Sequence, residues 1–393
     1  MADAPGSLRL QSLEQLIERN LPFPENLPLP RPSDVVDLPF SSGTTARPKG
    51  VELTARALLA VTIGYVHLNP PVKYRLGLLP FFHITATMEF HSCVYSGTAM
   101  VILPRFDPEV FLRVVQDYKM DGFIIAPPIA LFLAQNPMVE KFDLSHVREI
   151  GCGGAPLGVE VESMAEKRTG ATLLQGYGMT EMCGAITCSN IDTKRLGSAG
   201  KLMPNARMKV VSLSTNKELG PNEPGELLFH TPQLLRGYYN NPEANVAAFD
   251  EDGYLRTGDI GYIDDDGFVF IVDRIKELIK YKGHQVAPAE LEDVLNNHPS
   301  VADACCVRGL DVKTGEEIPK AYVVLKQGAP KVTAEDIIAF VQTKVAPYKF
   351  VRELEFIETI PKSLSGKILR RVLQVKENDK IAAARKIQVQ SRL

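Results

Sequence analysis

Apolar positions between residues 34 and 177 fall into short β-branched runs at 35–40, 75–79, 98–102 and 122–126, interleaved with amphipathic stretches at 55–65, 109–118 and 159–168. That alternation predicts an α/β layer, a sheet covered by helices. Thr54 stands where its hydroxyl can cap a helix beginning at Ala55, and Pro108 suits a first turn ahead of Glu109. Between 207 and 272 the texture changes to strands at 208–213, 225–230, 253–257, 261–263 and 267–272 with glycine-containing turns, which predicts a small β-rich unit. Past Asp273 come helices at 289–296 and 334–345 and strands at 301–307 and 320–325, with Thr333 and Asp336 suited to start the second helix. We therefore expect a large domain over 1–273, its β-rich part covering about 205–273, and a small α+β domain over 274–393.

Composition narrows the function classes. Of 393 residues, 45% are hydrophobic and 23% charged, which suffices for buried cores in two or three domains. Lys and Arg total 44 against 47 acidic residues, so a net charge of -3 supplies no basic field for nucleic acid or an anionic membrane. The longest apolar candidate for a membrane span, 122–134, is short and broken by Pro127 and Pro128. No signal-peptide pattern opens the chain. The cysteines at 93, 152, 183, 188, 305 and 306 form no CxxC pair and no zinc-ligand spacing, so reduced structural thiols are expected. The closing Ser391-Arg392-Leu393 is a conservative variant of the Ser-Lys-Leu address, which predicts the peroxisomal import receptor as a partner and a peroxisomal location, otherwise a cytoplasmic one.

Directly after Phe40 comes Ser41-Ser42-Gly43-Thr44-Thr45-Ala46-Arg47-Pro48-Lys49-Gly50. Its hydroxyls and backbone N–H groups can donate to phosphate oxygens while Lys49 adds positive charge, the chemistry a triphosphate needs. The spacing is not that of a Walker A loop. By composition alone a solvated Ser/Thr/Gly connector reads equally well.

Four further stretches follow in series: Gln175-Gly176-Tyr177-Gly178-Met179-Thr180-Glu181, Thr257-Gly258-Asp259, Asp273-Arg274-Ile275-Lys276-Glu277-Leu278-Ile279-Lys280-Tyr281-Lys282-Gly283 and Pro361-Lys362-Ser363-Leu364-Ser365-Gly366-Lys367. With the hydroxyl-rich loop they resemble the signatures of the acyl-adenylate-forming (AMP-binding) superfamily, nearest to 4-coumarate:CoA ligases and their relatives among fatty acyl-CoA ligases and beetle luciferases. The likeness runs from about Asp34 to about Val372. It implies an adenylate-forming fold in the α/β class, with a small mobile C-terminal domain turning on a hinge near 274–276. It also implies ATP-dependent, Mg2+-assisted adenylation of an aromatic or fatty carboxylic acid. Thioester formation with CoA then follows, releasing AMP and pyrophosphate in all.

The resemblance also assigns roles. Ser41, Ser42, Gly43, Thr44, Thr45 and Lys49 would hold phosphates, and Gln175, Gly176 and Tyr177 would join the nucleotide site with Tyr177 beside the adenine. Thr180 would bond the α-phosphate, Glu181 would help hold Mg2+, Asp259 would take the ribose hydroxyls, and Arg274 would reach the ribose or a phosphate. Lys367 would bridge the substrate carboxylate and the α-phosphate. Lys276 falls at the hinge and lines the nucleotide side, while Lys280 and Gln285 belong to the segment that swings in for the second half-reaction, with Lys282 and Gly283 beside CoA. His83 matches a gate between thiol tunnel and acyl pocket, and Phe82, Thr85, Gly153, Gly154 and Cys188, with Phe81 and Phe90 close by, match pocket positions. Taken singly, each has a plainer reading: a turn beside Gly258 for Asp259, a surface lysine for Lys367, a core histidine for His83.

Departures matter too. Thr85 stands where plant coumarate ligases usually have tyrosine, which argues against a hydroxycinnamate preference. Ala46 replaces a glycine of the family loop, so weaker triphosphate binding is expected if the backbone there needs positive φ. Relatives place a subdomain ahead of the loop, and few residues precede Ser41 here, so an exposed apolar face that invites a protein partner is expected. Two alternatives to the ligase therefore stand: a weakly active or inactive nucleotide-binding fragment that needs a partner, and adenylation feeding a luciferase-like transfer.

Overall fold

A computed structural model of the chain describes residues 18–19, 26–41, 48–155, 157–311, 314, 316–363 and 366–390, the last stretch from 383 as backbone alone. Its helices are α1 (Ala55–Leu68), α2 (Ile84–Ser96), α3 (Pro108–Asp117), α4 (Pro127–Gln135), α5 (Val159–Thr169), α6 (Pro242–Ala248), α7 (Pro288–Asn296), α8 (Ala334–Gln342) and α9 (Arg370–Gln390). Starts follow side-chain chemistry. Thr54 Oγ1 accepts the Ala57 N–H at 3.2 Å to open α1, and the Asp107 carboxylate accepts the Val110 N–H at 3.0 Å ahead of Pro108 in α3. Thr333 and Asp336 form a reciprocal capping box at α8.

Strands Gly122–Ile125, Glu149–Cys152 and Thr172–Met179 pair in parallel, and Gly184–Cys188 and Lys201–Leu202 continue the sheet antiparallel. The fully buried Phe111, Phe123, Leu133 and Ile150 belong to the core between this sheet and helices α3, α4 and α5. Burying each such side chain contributes about 1.5–3 kcal/mol. A second small sheet joins Val35–Asp37, Lys49–Thr54 and Gly237–Tyr238, with Phe40–Ser41 folding back on Lys49–Thr54. The β-rich unit is a meander of Arg207–Val211, Gly225–His230, Leu255–Ile263 and Val269–Arg274. After Arg274 the chain leaves that meander and re-enters a strand at Ile279. The small lobe consists of the hairpin Ile279–Tyr281 with His284–Val286, the antiparallel pair Val301–Leu310 and Glu317–Leu325, the parallel strand Glu353–Phe356, and helices α7, α8 and α9.

The structure differs from the sequence reading in particular places. The runs at 253–257 and 261–263 are one strand, Leu255–Ile263, because a register shift at Ile260 and Gly261 absorbs the glycines that suggested a break. Pro127 opens α4 instead of only ending the apolar run before it. The helix expected over 334–345 ends at Gln342. An apolar face is exposed as expected: Leu59 and Ile63 on α1 and Phe90, Val94 and Tyr95 on α2 all stand in solvent, Val94 at 67%.

Candidate active site

The strand Thr172–Met179 carries the Gln-Gly-Tyr-Gly-Met segment to the centre of the molecule, and Thr180 and Glu181 follow in a short turn. Gly178 is required there, since a Cβ would stand 2.0 Å from the Gly184 carbonyl oxygen. Tyr177 packs against Phe229 of the meander, ring centroids 5.9 Å apart, and its hydroxyl donates to Asp259 Oδ2 at 2.6 Å. Arg274 Nε lies 3.2 Å from Asp259 Oδ1, and Thr257 Oγ1 accepts the Asp259 N–H at 3.0 Å. Three motifs far apart in sequence therefore meet on one carboxylate. Burial raises the Asp259 pKa, against the pull of Arg274 and the Tyr177 hydrogen bond.

Ser41 and Lys49 face each other across the pairing of Phe40–Ser41 with Lys49–Thr54, at the base of the hydroxyl-rich loop. Ser41 Oγ is buried and has no hydrogen-bond partner among the described residues, as suits a hydroxyl reserved for a phosphate oxygen. Ser42, Gly43, Thr44, Thr45 and Ala46 lie outside the described residues, as do Ser391, Arg392 and Leu393. Lys49 Nζ sits 4.6 Å over the Tyr238 ring, and the Tyr238 hydroxyl donates to Glu181 Oε1 at 3.1 Å. Tyr238 was missed in the sequence, and only its contacts with Lys49 and, across 57 residues, with Glu181 mark it. The described residues hold no cluster of three or more His, Cys, Asp or Glu fit for a metal. One buried carboxylate, Glu181, with the neighbouring Thr180 hydroxyl, fits Mg2+, which keeps waters and takes phosphate oxygens instead of a full protein cage.

Lys367, from the small lobe, reaches this centre. Its Cε is 3.8 Å from where a Cβ of Gly154 would stand, and Gly154 itself has φ +89. The same turn approaches the strand Thr172–Met179, a Gly153 Cβ falling 3.4 Å from the Gly176 carbonyl oxygen. Burial lowers the Lys367 pKa, Arg274 lowers it further, and Asp259 and Glu181 oppose both. His83 caps α2, its Nδ1 accepting the Thr85 N–H at 3.4 Å, and burial with the nearby Lys367 charge lowers its pKa to about 4. Its imidazole is neutral at physiological pH. Cys188 Sγ lies 4.0 Å from the Cβ position of Gly176, and burial pushes its thiol up to about 12.

Other expected positions stand elsewhere. Phe82 is 69% exposed and does not line an enclosed pocket, because the turn that sets His83 inward as the α2 cap sends its neighbour to solvent. Phe81 and Phe90 meet edge to face at 6.1 Å, both partly exposed. Lys280, Lys282, Gly283 and Gln285 are exposed on the hairpin of the small lobe, with the Lys280 N–H on Glu317 and His284 stacked on Tyr348, all within that lobe. Lys276 is exposed in the turn before the hairpin. In this arrangement the structure brings Lys367 near Asp259, Arg274 and Glu181 and leaves Lys280, Lys282, Gly283 and Gln285 exposed.

A contact between lobes accompanies this arrangement. Asp293 on α7 lies against Gly158, the residue that starts α5, so closely that a Cβ there would stand 1.5 Å from Asp293 Oδ1. Burial and the neighbouring Glu160 raise Asp293 to about 6 from 3.8. A raised carboxyl favours the closed contact below the ordinary value and loses that contribution as pH rises through about 6. Hydrogen exchange of the 275–278 turn, compared between wild type and Asp293→Asn at each pH, is expected to show faster wild-type exchange at pH 8 and matching rates at pH 5.

A large α/β and β-rich body closed by a small lobe, with one lysine inserted beside Gly154 and in the field of a Tyr–Asp–Arg cluster, defines an adenylate-forming architecture. Residues 3–239 match the AMP-binding enzyme family and residues 290–367 match the AMP-binding enzyme C-terminal domain. 4-coumarate–CoA ligase 2 of Nicotiana tabacum is 43% identical over 385 residues, covering 94% of this chain and 70% of that protein. 4-coumarate–CoA ligase 2 of Oryza sativa subsp. japonica is 45% identical over 359 residues, covering 88% of this chain and 63% of that one. The chain thus spans about two thirds of the length of these curated relatives. Among solved structures, O-succinylbenzoate coenzyme A synthetase of Bacillus subtilis in complex with ATP and magnesium ion superposes with TM-score 0.77 at 28% identity, over 87% of this chain and 70% of that one. The chain belongs to the AMP-binding enzyme family.

Proposed function

We propose that this chain is an acid–CoA ligase that adenylates a carboxylic acid with ATP and transfers the acyl group to CoA. The observation that carries the proposal is the lysine of the small lobe standing beside Gly154 and within the field of Asp259, Arg274 and Glu181. Asp259 accepts the ribose hydroxyls, its geometry held by Tyr177 and Thr257. Ser41, Lys49 and the loop they bracket bind the β- and γ-phosphates. Thr180 would bond the α-phosphate, and Glu181 would help hold Mg2+, which would supply charge neutralisation of the phosphates when bound. A substrate carboxylate oxygen attacks the α-phosphorus in line with departing pyrophosphate, and the Lys367 ammonium stabilises the charge that develops on the oxygens between them.

The second half-reaction needs the small lobe to turn about the segment at Lys276, withdrawing Lys367 and bringing Lys280, Lys282, Gly283 and Gln285 to the site. The CoA sulfur then attacks the acyl carbonyl and AMP leaves. A neutral His83 beside the entry is compatible with passage of an apolar acyl group or a pantetheine arm. Gly153, Gly154 and Cys188 are the positions assigned to the acyl group, and Thr85 argues for acids other than hydroxycinnamates.

Purified chain with ATP, Mg2+ and a panel of aromatic and fatty acids is expected to release pyrophosphate in an acid-dependent way, and to consume CoA with matching stoichiometry. Pyrophosphate release without CoA consumption would support the transfer reading; no release with any acid would support the inactive-fragment reading. For location, we propose peroxisomal import through Ser391-Arg392-Leu393, supported by that tripeptide alone. Identical distributions of tagged full-length chain and a copy lacking it would remove the idea.

A further inference from the structure

We propose that Glu162 on α5 is a positioning residue that sets which purine the site accepts, by holding the Gln175 carboxamide with its oxygen toward the base. The inference rests on the adenylation reading above, in which the base lies beside Tyr177.

Glu162 is 1% exposed, a burial a carboxylate tolerates only with several partners. Its Oε1 lies 2.8 Å from Lys194 Nζ. Its Oε2 accepts from Gln175 Nε2 at 2.6 Å and from the Gly197 N–H at 3.4 Å. Gln175 Nε2 donates a second time, to the Leu157 carbonyl oxygen at 3.3 Å. Both neighbours of that amide end are acceptors only, so the nitrogen must face them and the orientation is fixed by chemistry. Gln175 Oε1 has no hydrogen-bond partner among the described residues.

Gln175 precedes Tyr177 by two positions on Thr172–Met179, and positions two apart share a face of a strand. The strand therefore offers a base an aromatic ring and, next to it, an amide oxygen that only accepts. Such an oxygen suits the exocyclic amino group of adenine. It repels the carbonyl that hypoxanthine or guanine carries in the same place. Without Glu162 only the longer bond to the Leu157 carbonyl would hold the amide nitrogen away from the base, and the discrimination would weaken.

The substitution Glu162→Gln gives a signed test. Lys194 would retain the oxygen of the introduced carboxamide, so that its nitrogen turns toward Gln175. Facing that nitrogen at the shorter contact, the Gln175 amide gives up its longer bond to the Leu157 carbonyl and flips, so that its own nitrogen faces the base. The preference for ATP over inosine triphosphate, measured as the ratio of kcat/KM in pyrophosphate release by the full chain, is expected to fall about 10–100-fold. Stabilisation by AMP relative to inosine monophosphate, read by thermal shift, should fall in parallel without any turnover. In the double variant Glu162→Gln with Gln175→Glu, the carboxamide introduced on α5 donates to one oxygen of the new carboxylate and leaves the other toward the base, so the ATP preference should return.

A purely structural Glu162 would weaken both nucleotides equally; an unchanged ATP-to-inosine ratio in Glu162→Gln overturns the proposal. If that single variant does not fold, the double variant decides, and equal use of the two nucleotides by it overturns the proposal. A wild-type chain that neither turns over ATP nor is stabilised by AMP overturns the adenylation reading and this inference with it. Wild type that uses both triphosphates equally leaves the adenylation reading standing and overturns only the role of Glu162.

Discussion

Replacing Lys367 with alanine is expected to lower acyl-adenylate formation about 10²–10³-fold, the usual cost of removing one preorganised charge from a developing oxyanion. Pyrophosphate release in single turnover, with ATP and acid saturating, measures it. Only kcat should collapse, since Asp259, Tyr177 and Lys49 would keep the ground-state contacts proposed for ATP and the KM for nucleotide should change little. The second half-reaction supplies the control. Given pre-formed acyl-adenylate and CoA, the variant is expected to make thioester at close to the wild-type rate, because in that state a turned lobe presents Lys282 and Gly283 in place of Lys367. Equal loss in both half-reactions would mean that the substitution disturbs the lobe and not the chemistry. The lowered Lys367 pKa has a consequence as well: adenylation should decline at a more acidic pH than the ordinary lysine value predicts, as the ammonium that does the work is lost.

How far the sequence alone reached depends on the range over which each feature is determined. Thr54, Asp107 with Pro108, and Thr333 with Asp336 act on amides two or three residues away, so the starts of α1, α3 and α8 were legible or nearly so. Gly258 and Gly261 misled, because whether a glycine ends a strand or bends it is decided by the partner strand, here Gly225–His230. Helix α2 was not anticipated, since its mixture of Thr, Met, His and Ser gives a weak apolar stripe, and its cap is a histidine. Within the site, Asp259, Tyr177 and Arg274 were named from motifs, yet the meeting of Tyr177 and Arg274 on the Asp259 carboxylate was not, for it needs a contact between residues 82 apart. Glu162 and Tyr238 carried no local signal: each matters through the residue it holds, Gln175 or Glu181. The exposure of Lys280, Lys282 and Gln285 depends on how one lobe is turned against the other, which no periodicity encodes.

The position of Lys367 in turn depends on a buried cation, and Arg370→Met is expected to destabilise the small lobe by about 3–5 kcal/mol. Arg370 lies three residues beyond Lys367, at the start of α9, with its side chain only 13% exposed. Its guanidinium pairs with both oxygens of Glu292 at 2.7 and 2.8 Å, with Glu277 in the turn after Arg274, and with the Cys306 carbonyl oxygen at 3.0 Å. Glu292 is itself buried on α7 and accepts the Cys306 N–H at 2.8 Å. Removing the arginine leaves Glu292 without its counter-charge, with Asp273 close enough to add repulsion. Burial already raises the Glu292 pKa, and without Arg370 its protonation becomes the route to relief, so the loss should be larger at pH 8 than at pH 5. Hydrogen exchange in Val301–Leu310 is the direct measurement, with protection falling about 10²–10⁴-fold in the variant. Replacing Arg370 and Glu292 together by apolar residues should cost far less than Arg370 alone, since no unpaired charge is then buried. Because Arg370 ties the segment that carries Lys367 to α7 and to Glu277 beside the hinge, the single variant should also slow adenylation while acyl transfer from pre-formed adenylate falls less. An Arg370→Lys variant that restores stability but not adenylation would then assign the forked guanidinium to aiming Lys367, over and above holding the lobe together.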